Sequence, residues 1–301
     1  MVIPCRFHTA NVLIKKIVVK YCFAITLLLT SLNALSQQPA DLDFVDHMLK
    51  KEYHREVIHL VNRSEWNNLA PSGKDSMHYM KGWSHYALKQ LEPSANELNQ
   101  VSQNSPFYHK ARFFAAYNQI HLGRYPLAQA SLDDIQTEKA ELQSLRHFEK
   151  AGIALLKRDF DRFDREFSRV DTSYYPLAKE SAQISKYATT LENHQAKSPV
   201  WGGIMSSIIP GSGKIYAGQT GEGISSLLTV GGLGLVTWEN YRKRGIKDWR
   251  TLIFGAAFSA FYVGNIYGTV FSIQIAEDEF QQEYDHKILF NLHIPLRNVF
   301  Q

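Results

Sequence analysis

The stretch His121–Leu132, "HLGRYPLAQASL", lies in the middle of the long region that decides the fold class. Residues 41–195 contain few Gly and Pro and many helix-forming residues, and their apolar residues recur at spacings of three and four. This spacing is typical of amphipathic α-helices, and no alternating strand pattern interrupts it. The sequence therefore predicts an all-α fold.

One pattern in this region recurs at shifts of 34 and 35 residues. A small residue is followed nine positions later by a large apolar residue, and three positions after that by another small residue. Two triplets fit fully: Gly82, Leu91 and Ser94, and Ala116, Tyr125 and Ala128. The triplet Ala151, Phe160 and Phe163 fails at its last position. The triplet Phe44, Tyr53 and Glu56 keeps only its middle residue. Small residues at this spacing let two helices approach each other, and the large residue fills the space at their crossing.

The pattern resembles the tetratricopeptide repeat, a helix–turn–helix unit of 34 residues. "HLGRYPLAQASL" is similar to the turn between the two helices of such a unit, and Pro106 stands where the unit-ending proline of that family falls. The resemblance covers residues 41–195. It implies a solenoid of stacked helix pairs with degenerate terminal units, followed by a capping helix at about 175–191. An unrelated helical bundle is the alternative.

The resemblance also implies a concave groove lined by the first helix of each unit. Aromatic side chains would dominate it, which suits a protein or peptide partner because rings offer a large contact area at small entropic cost. The alternative is that several of these rings pack against the neighbouring unit. The candidate groove residues are Tyr79, Trp83, Tyr86, Phe113, Tyr117 and Ile120, with Ser76 and Lys110 beside them.

The first 36 residues have the pattern of an export signal peptide. Three lysines precede an apolar core, "YCFAITLLLTSL" (21–32), and small residues at 34 and 36 predict cleavage after Ser36. An uncleaved N-terminal anchor is the alternative. Both cysteines of the chain, Cys5 and Cys22, lie in this segment. The exported chain would therefore have no thiol for a disulfide, a metal site or a nucleophile.

The net charge of +4 comes entirely from the leader, which has four basic residues and no acidic one. The rest of the chain is formally neutral, so its composition does not indicate binding to nucleic acid.

Beyond a linker at 196–200 the composition indicates a membrane hairpin at 201–276. Residues 223–238 carry no charge, and residues 252–273 hold Asn265 as their only strongly polar side chain. We expect transmembrane spans at about 221–241 and 251–274, because ~20 apolar residues cross a bilayer and the glycines in both stretches allow close helix contact. Residues 201–209 are too few to cross and are expected to form a half-helix.

Charge on either side of the second span predicts its orientation. The loop "ENYRKRGIKDWR" (239–250) carries five basic residues, whereas "AEDEFQQEYD" (276–285) is acidic. Positive loops stay in the cytoplasm, so the loop is expected inside and the flanks outside, in agreement with an exported repeat domain.

The tail at 277–301 includes "KILFNLHIPL" (287–296), whose partial alternation predicts a strand or an extended arm.

The stretch Ile208–Gly223, "IIPGSGKIYAGQTGEG", contains Gly-Ser-Gly-Lys but does not have the pattern of a phosphate loop. That loop requires Gly at 208 and Ser or Thr at 215, and both positions are Ile. We expect no nucleotide here and interpret the stretch as a turn at a membrane surface that contacts lipid or a protein partner. The candidate turn residues are Pro210, Gly211, Gly213, Lys214, Tyr216 and Gly218.

Residues 210–234 resemble a bacterial envelope family with Pro-Gly-x-Gly-x-x-Tyr-x-Gly before a Gly-containing helix. They are also similar to a small two-helix membrane domain with Gly-x-x-x-x-Tyr-x-Gly in its turn, although Glu239 departs from its pattern after Trp238. Both resemblances imply a membrane location and neither implies a reaction.

No catalytic motif, metal site or cofactor site is evident, so we do not expect an enzyme. The sequence predicts a periplasmic repeat protein anchored in the bacterial inner membrane, acting as a scaffold or adaptor in the cell envelope. One alternative is an accessory subunit of an envelope transport or membrane-insertion system, with Lys214, Tyr216 and Asn265 on a partner within the bilayer. Others are an envelope enzyme with an unrecognised site and, for location, association with the outer membrane.

Overall fold

The computed structural model describes residues 41–64, 66 and 69–300, and the expected signal peptide lies outside them. All secondary structure in these residues is helical, with thirteen α-helices and no strand. The all-α prediction is confirmed at this level. The helices are α1 (Leu42–Lys50), α2 (His54–Arg63), α3 (Pro71–Ala87), α4 (Leu91–Leu98), α5 (Tyr108–His121), α6 (Tyr125–Asp133), α7 (Ala140–Leu156), α8 (Phe160–Phe167), α9 (Tyr175–Glu192), α10 (Pro199–Ile208), α11 (Ser212–Tyr216), α12 (Thr220–Arg244) and α13 (Trp249–Phe300).

The first eight helices form four pairs whose internal turns share one backbone geometry. In each turn, the second residue after the end of the first helix is in the left-handed region. These residues are Glu52, Lys89, Gly123 and Arg158, with φ of 61°, 59°, 70° and 58°. In each, the next N–H donates to the carbonyl five residues back, as in Gln90 to His85 and Arg124 to Gln119. This is the hydrogen-bond pattern of a Schellman ending. The turn recurs at spacings close to the sequence repeat, including in the two degenerate pairs.

The chain divides into two compact units, one up to Arg146 together with Phe300, and one over 147–299. The division falls within α7. In the first unit, consecutive helices from α1 to α6 pack on one another. The recurring small residues explain how closely they pack: a Cβ on Gly82 would lie 2.8 Å from Leu98 Cγ. The buried Ser94 hydroxyl donates to the Gly82 carbonyl at 2.7 Å and accepts from the Asn118 amide at 2.9 Å.

In the second unit, α10, α11 and α12 follow one another through short glycine-containing turns. α10 begins at Pro199, with the Ser198 hydroxyl accepting from the Trp201 N–H at 3.3 Å as its N-cap. It ends at Ile208, two residues before Pro210. α12 then begins at Thr220 with Glu222 in its first turn, where a carboxylate is favourable.

The expectation of a strand or an extended arm at 287–296 is wrong, because α13 continues without interruption to Phe300. Ile288, Leu292 and Leu296 recur at the helical spacing of four and are fully buried. Phe290, which created the apparent alternation, is 66% exposed. Burial of one helical face decides this segment, and Pro295 is accommodated inside the helix.

Candidate functional site

The aromatic residues expected to line a groove form a ring cluster on α3 and α5 of the first unit. Tyr79 and Trp83 are stacked with ring centroids 6.2 Å apart, and Trp83 lies 5.2 Å from Tyr86. The Phe114 ring of α5 meets Trp83 and Tyr86 edge-on, each at 5.0 Å. Phe107 stacks on Tyr79 at 4.3 Å. Such offset and edge-to-face contacts join the first helices of neighbouring pairs.

The structure places only part of this set at the surface. Phe113, Tyr117 and Ile120 are buried, with 0%, 6% and 1% of their surface exposed, so they belong to the core of the unit. Tyr79 is also buried, and burial raises the pKa of its hydroxyl to about 12. Of the six candidate residues, only Trp83 and Tyr86 remain half-buried. The packing alternative therefore accounts for four of the six candidate residues.

Lys110 adds a cation to the half-buried rings. Its Nζ lies 4.2 Å from the ring centroid of Trp83 and 6.0 Å from that of Tyr79, which are cation–π distances. Burial lowers the pKa of this amine from its ordinary value. Trp83, Tyr86 and Lys110 together form the aromatic–cation patch of the first unit.

Phe300 also belongs to the first unit and contacts the ring cluster. Its ring centroid lies 5.5 Å from that of Phe113 and 6.4 Å from that of Phe114. The sequence pattern did not single out Phe107, Phe114 or Phe300. Phe107 and Phe114 lie on or next to α5, but the repeat register assigns them no groove position. Phe300 is distant in the chain, so no local signal relates it to this cluster.

The candidate turn residues between α10 and α12 are closely packed, and their backbone contacts the backbone of neighbouring segments. Gly211 has φ of 85°, and a Cβ there would overlap the carbonyl of Gly223. A Cβ on Gly213 would overlap the carbonyl of Gly202, and the Gly213 N–H donates to the Ser206 hydroxyl at 3.1 Å. Gly218, with φ of 92°, ends α11. Glycine is required here because backbone approaches backbone.

The polar residues of this turn are partly paired. Lys214 Nζ lies 3.4 Å from the Glu222 carboxylate, and the Tyr216 hydroxyl accepts from the Ser198 N–H at 3.3 Å. Pro210 is half-buried. The turn is therefore held together by its glycines and closed at its edges by polar contacts.

Buried polar groups connect α10 to α13 in the second unit. The hydroxyls of Ser206 and Thr269 are hydrogen bonded at 2.9 Å, and the Tyr262 hydroxyl donates to the Ser207 carbonyl at 2.5 Å. Asn265 donates to the Ser206 carbonyl at 3.4 Å, while its Oδ1 has no protein partner.

Large apolar side chains are exposed on α10, α12 and the first half of α13. Within the part of the chain that the structure describes, α13 is the one helix long and apolar enough to cross a membrane, and 11% of its most apolar 18-residue window is buried. A core helix of the same composition would be mostly buried. The exposed residues include Val200, Trp201, Ile204, Ile208, Leu228, Leu235, Trp238, Leu252, Ile253, Phe261, Val263, Phe271 and Ile275.

No grouping of three or more His, Cys, Asp or Glu side chains suited to a metal ion occurs among the described residues. No family model matches the chain, no curated protein is matched to it, and no solved structure is similar enough to be matched.

Proposed function

We propose that the protein is a helical-repeat adaptor anchored in the bacterial inner membrane by α12 and α13, with its helix pairs in the periplasm. The observation that carries the proposal is the exposed apolar surface of α10, α12 and α13. In the described part of α1–α9, by contrast, few large apolar side chains are exposed. Water does not favour an apolar surface of this extent, and lipid does.

α13 meets the length and hydropathy of a membrane span, and the contact of α12 with it and the charges of the loop support a hairpin. α12 has 25 residues and α13 has 52, or about 78 Å of helix at 1.5 Å per residue. That exceeds a hydrocarbon core of about 30 Å, so only the apolar part before Ala276 would lie in the bilayer. The Phe258 ring would lie 3.1 Å from a Cβ on Gly234, which brings α12 and α13 into contact. Residues 241–247, at the end of α12 and in the loop after it, are exposed, and their basic residues favour the cytoplasmic side.

The tetratricopeptide-like reading of α1–α8 is supported by the four equivalent turns and by the close approach at Gly82. The surface that such a domain would offer to a protein or peptide is the aromatic–cation patch, Trp83, Tyr86 and Lys110. Phe300 indicates that an aromatic side chain from elsewhere fits beside the rings of α5. An apolar or aromatic peptide segment with an acidic residue near Lys110 would complement the patch.

Membrane extraction tests the anchor. We expect the full chain to sediment with membranes after carbonate treatment at high pH and to be released by detergent. Release by carbonate alone would contradict the anchor.

Partner capture tests the adaptor role. Full-length protein carrying Trp83→Ala and Lys110→Ala should lose proteins that co-purify with the wild type from gently solubilised membranes. Phe44→Ala, at a side chain that is 48% exposed on α1, is the matched control. An identical partner set in the double variant would contradict binding at the aromatic–cation patch.

A further inference from the structure

A cavity of about 490 Å³ lies between α11, α12 and α13 of the second unit. Although the surrounding helix faces are apolar, one part of its wall is polar, formed by Lys214, Ser225, Ser226, Thr229 and Asn265. Its volume falls in the range of about 300–1,000 Å³ that small-ligand sites occupy.

Asn265 is the buried end of this polar wall. Its side chain is 7% exposed, and its Nδ2 is engaged with the Ser206 carbonyl at 3.4 Å. Its Oδ1 is buried and has no hydrogen-bond partner in the protein. A buried acceptor without a donor is unfavourable, so a ligand that fills the cavity gains affinity by bringing a hydroxyl to it.

Lys214 supplies the positive charge of the cavity. Its side chain is 18% exposed, and it forms an ion pair at 3.4 Å with the carboxylate of Glu222, which is 64% exposed. A long pair with an exposed carboxylate is weak and yields readily to a better anion. The hydroxyls of Ser225, Ser226 and Thr229 lie on the same wall and are hydrogen-bond donors suited to phosphate oxygens.

We infer that this cavity binds a glycerol phosphate group, with the phosphate at Lys214 and the serine hydroxyls and a glycerol hydroxyl on Asn265 Oδ1. The inference deepens the proposed function, since in a membrane anchor the source of this group is the headgroup of an anionic glycerophospholipid. The exposed apolar side chain of Phe261 at the cavity is suited to the adjoining acyl chain.

Lipid titration of the delipidated full-length protein, followed by native mass spectrometry, tests the inference. Phosphatidylglycerol should bind about tenfold more tightly than phosphatidylmethanol, which has the same charge but no glycerol hydroxyl, and both should bind more tightly than phosphatidylcholine. Lys214→Met should abolish the preference for anionic lipid. Asn265→Leu should remove the preference for phosphatidylglycerol over phosphatidylmethanol. Lys247→Met, which removes the same charge from the exposed loop, and Asn240→Leu, at a half-buried side chain near the end of α12, should change neither preference.

Free glycerol 3-phosphate distinguishes the two sources of the group. If it does not displace bound phosphatidylglycerol, the ligand is the lipid; if it binds and displaces the lipid at micromolar concentration, the same chemistry is supplied by the soluble compound. Equal binding of all three lipids, or unchanged preferences in both cavity variants, would overturn the inference. Failure of carbonate-resistant membrane attachment would instead overturn the anchor, so the two failures are distinguishable.

Discussion

Packing, and not the conformation of α11, requires glycine at position 213. A side chain there would overlap the Gly202 carbonyl and crowd Ser206. Gly231, on α12, has open space where its Cβ would lie. Substitutions at these two glycines therefore distinguish the cost of a steric clash from the helix propensity of the residue.

We expect Gly213→Ala to lower the free energy of unfolding by about 1–3 kcal/mol, because backbone must move to admit the methyl group. Gly231→Ala is the matched control, and in a helix interior it should be neutral or stabilising by up to about 1 kcal/mol. Thermal unfolding of the full chain in one detergent measures both. Equal effects of the two substitutions would show that the Gly213 contact is not restrictive.

The protonation of Glu149 on α7 is set by its surroundings. It is fully buried, neither carboxylate oxygen has a hydrogen-bond partner, and burial raises its pKa well above the ordinary value. The protonated form is favoured in the fold. Its contribution to stability is therefore fully present below the unfolded-state pKa of about 4.3 and is lost as pH rises toward the folded-state pKa.

Glu149→Gln should remove this pH dependence. Wild type and variant should be similar in stability near pH 4, and the variant should be more stable by about 1–3 kcal/mol at pH 7, where the carboxyl group is costly to bury. Denaturant unfolding of both proteins from pH 4 to pH 8 checks this. A stability difference that does not change with pH would contradict the assignment.

At the scale of the element, the four helix pairs depend on one residue of each turn being left-handed. Gly123 adopts this conformation freely, whereas Lys89 adopts it with a side chain. Nothing lies within 4 Å of a Cβ built on Gly123, so the cost of a side chain there is purely conformational.

Gly123→Ala should therefore lower the free energy of unfolding by about 1 kcal/mol. Lys89→Gly should raise it by about 0.5 kcal/mol, because the relief of the left-handed conformation exceeds the entropy that glycine loses on folding. Chemical unfolding of the two full-length variants gives both values. Effects of the same sign would mean that the two turns are not equivalent.

α13 shows how one helix combines two environments. Its first half exposes Leu252, Ile253 and Phe271, while its second half buries Ile288, Leu292 and Leu296. Between them Glu277 accepts from Gln281 at 2.7 Å and pairs with His194 at 2.8 Å. Although burial alone would raise the pKa of Glu277, these hydrogen bonds hold it below the ordinary value. The stabilisation that the carboxylate provides is thus present above pH ~4.3 and is lost as pH falls through the folded-state pKa.

At the scale of the whole molecule, the proposed anchor predicts which positions face which side of the membrane. Cys5 and Cys22 are the only cysteines, so a background with both changed to Ser allows single-cysteine labelling. A cysteine at Lys247 should be protected from a membrane-impermeant maleimide in intact spheroplasts. A cysteine at Leu127, which is 55% exposed, should be labelled. The reverse pattern would place the helix pairs in the cytoplasm.

Local sequence patterns determined the helical secondary structure of this protein. Spacings of three and four predicted helices, because helix formation depends on hydrogen bonds and side chains within a few residues. The recurrence near Gly82 and Ala116 predicts a repeat, and the left-handed turn residues recur at similar spacings. The short α10 before Pro210 and the start of α12 near Glu222 depend on equally local features.

Tertiary structure alone decided the rest. Packing buried Phe113, Tyr117 and Ile120. Burial also decided between the helical spacing of Ile288, Leu292 and Leu296 and the alternating pattern that includes Phe290. The contact of Asn265 with Ser206 and that of Phe300 with Phe113 join residues far apart in the chain. Such contacts depend on which surfaces the folded chain brings together, and the spacing of residues along the sequence does not encode them.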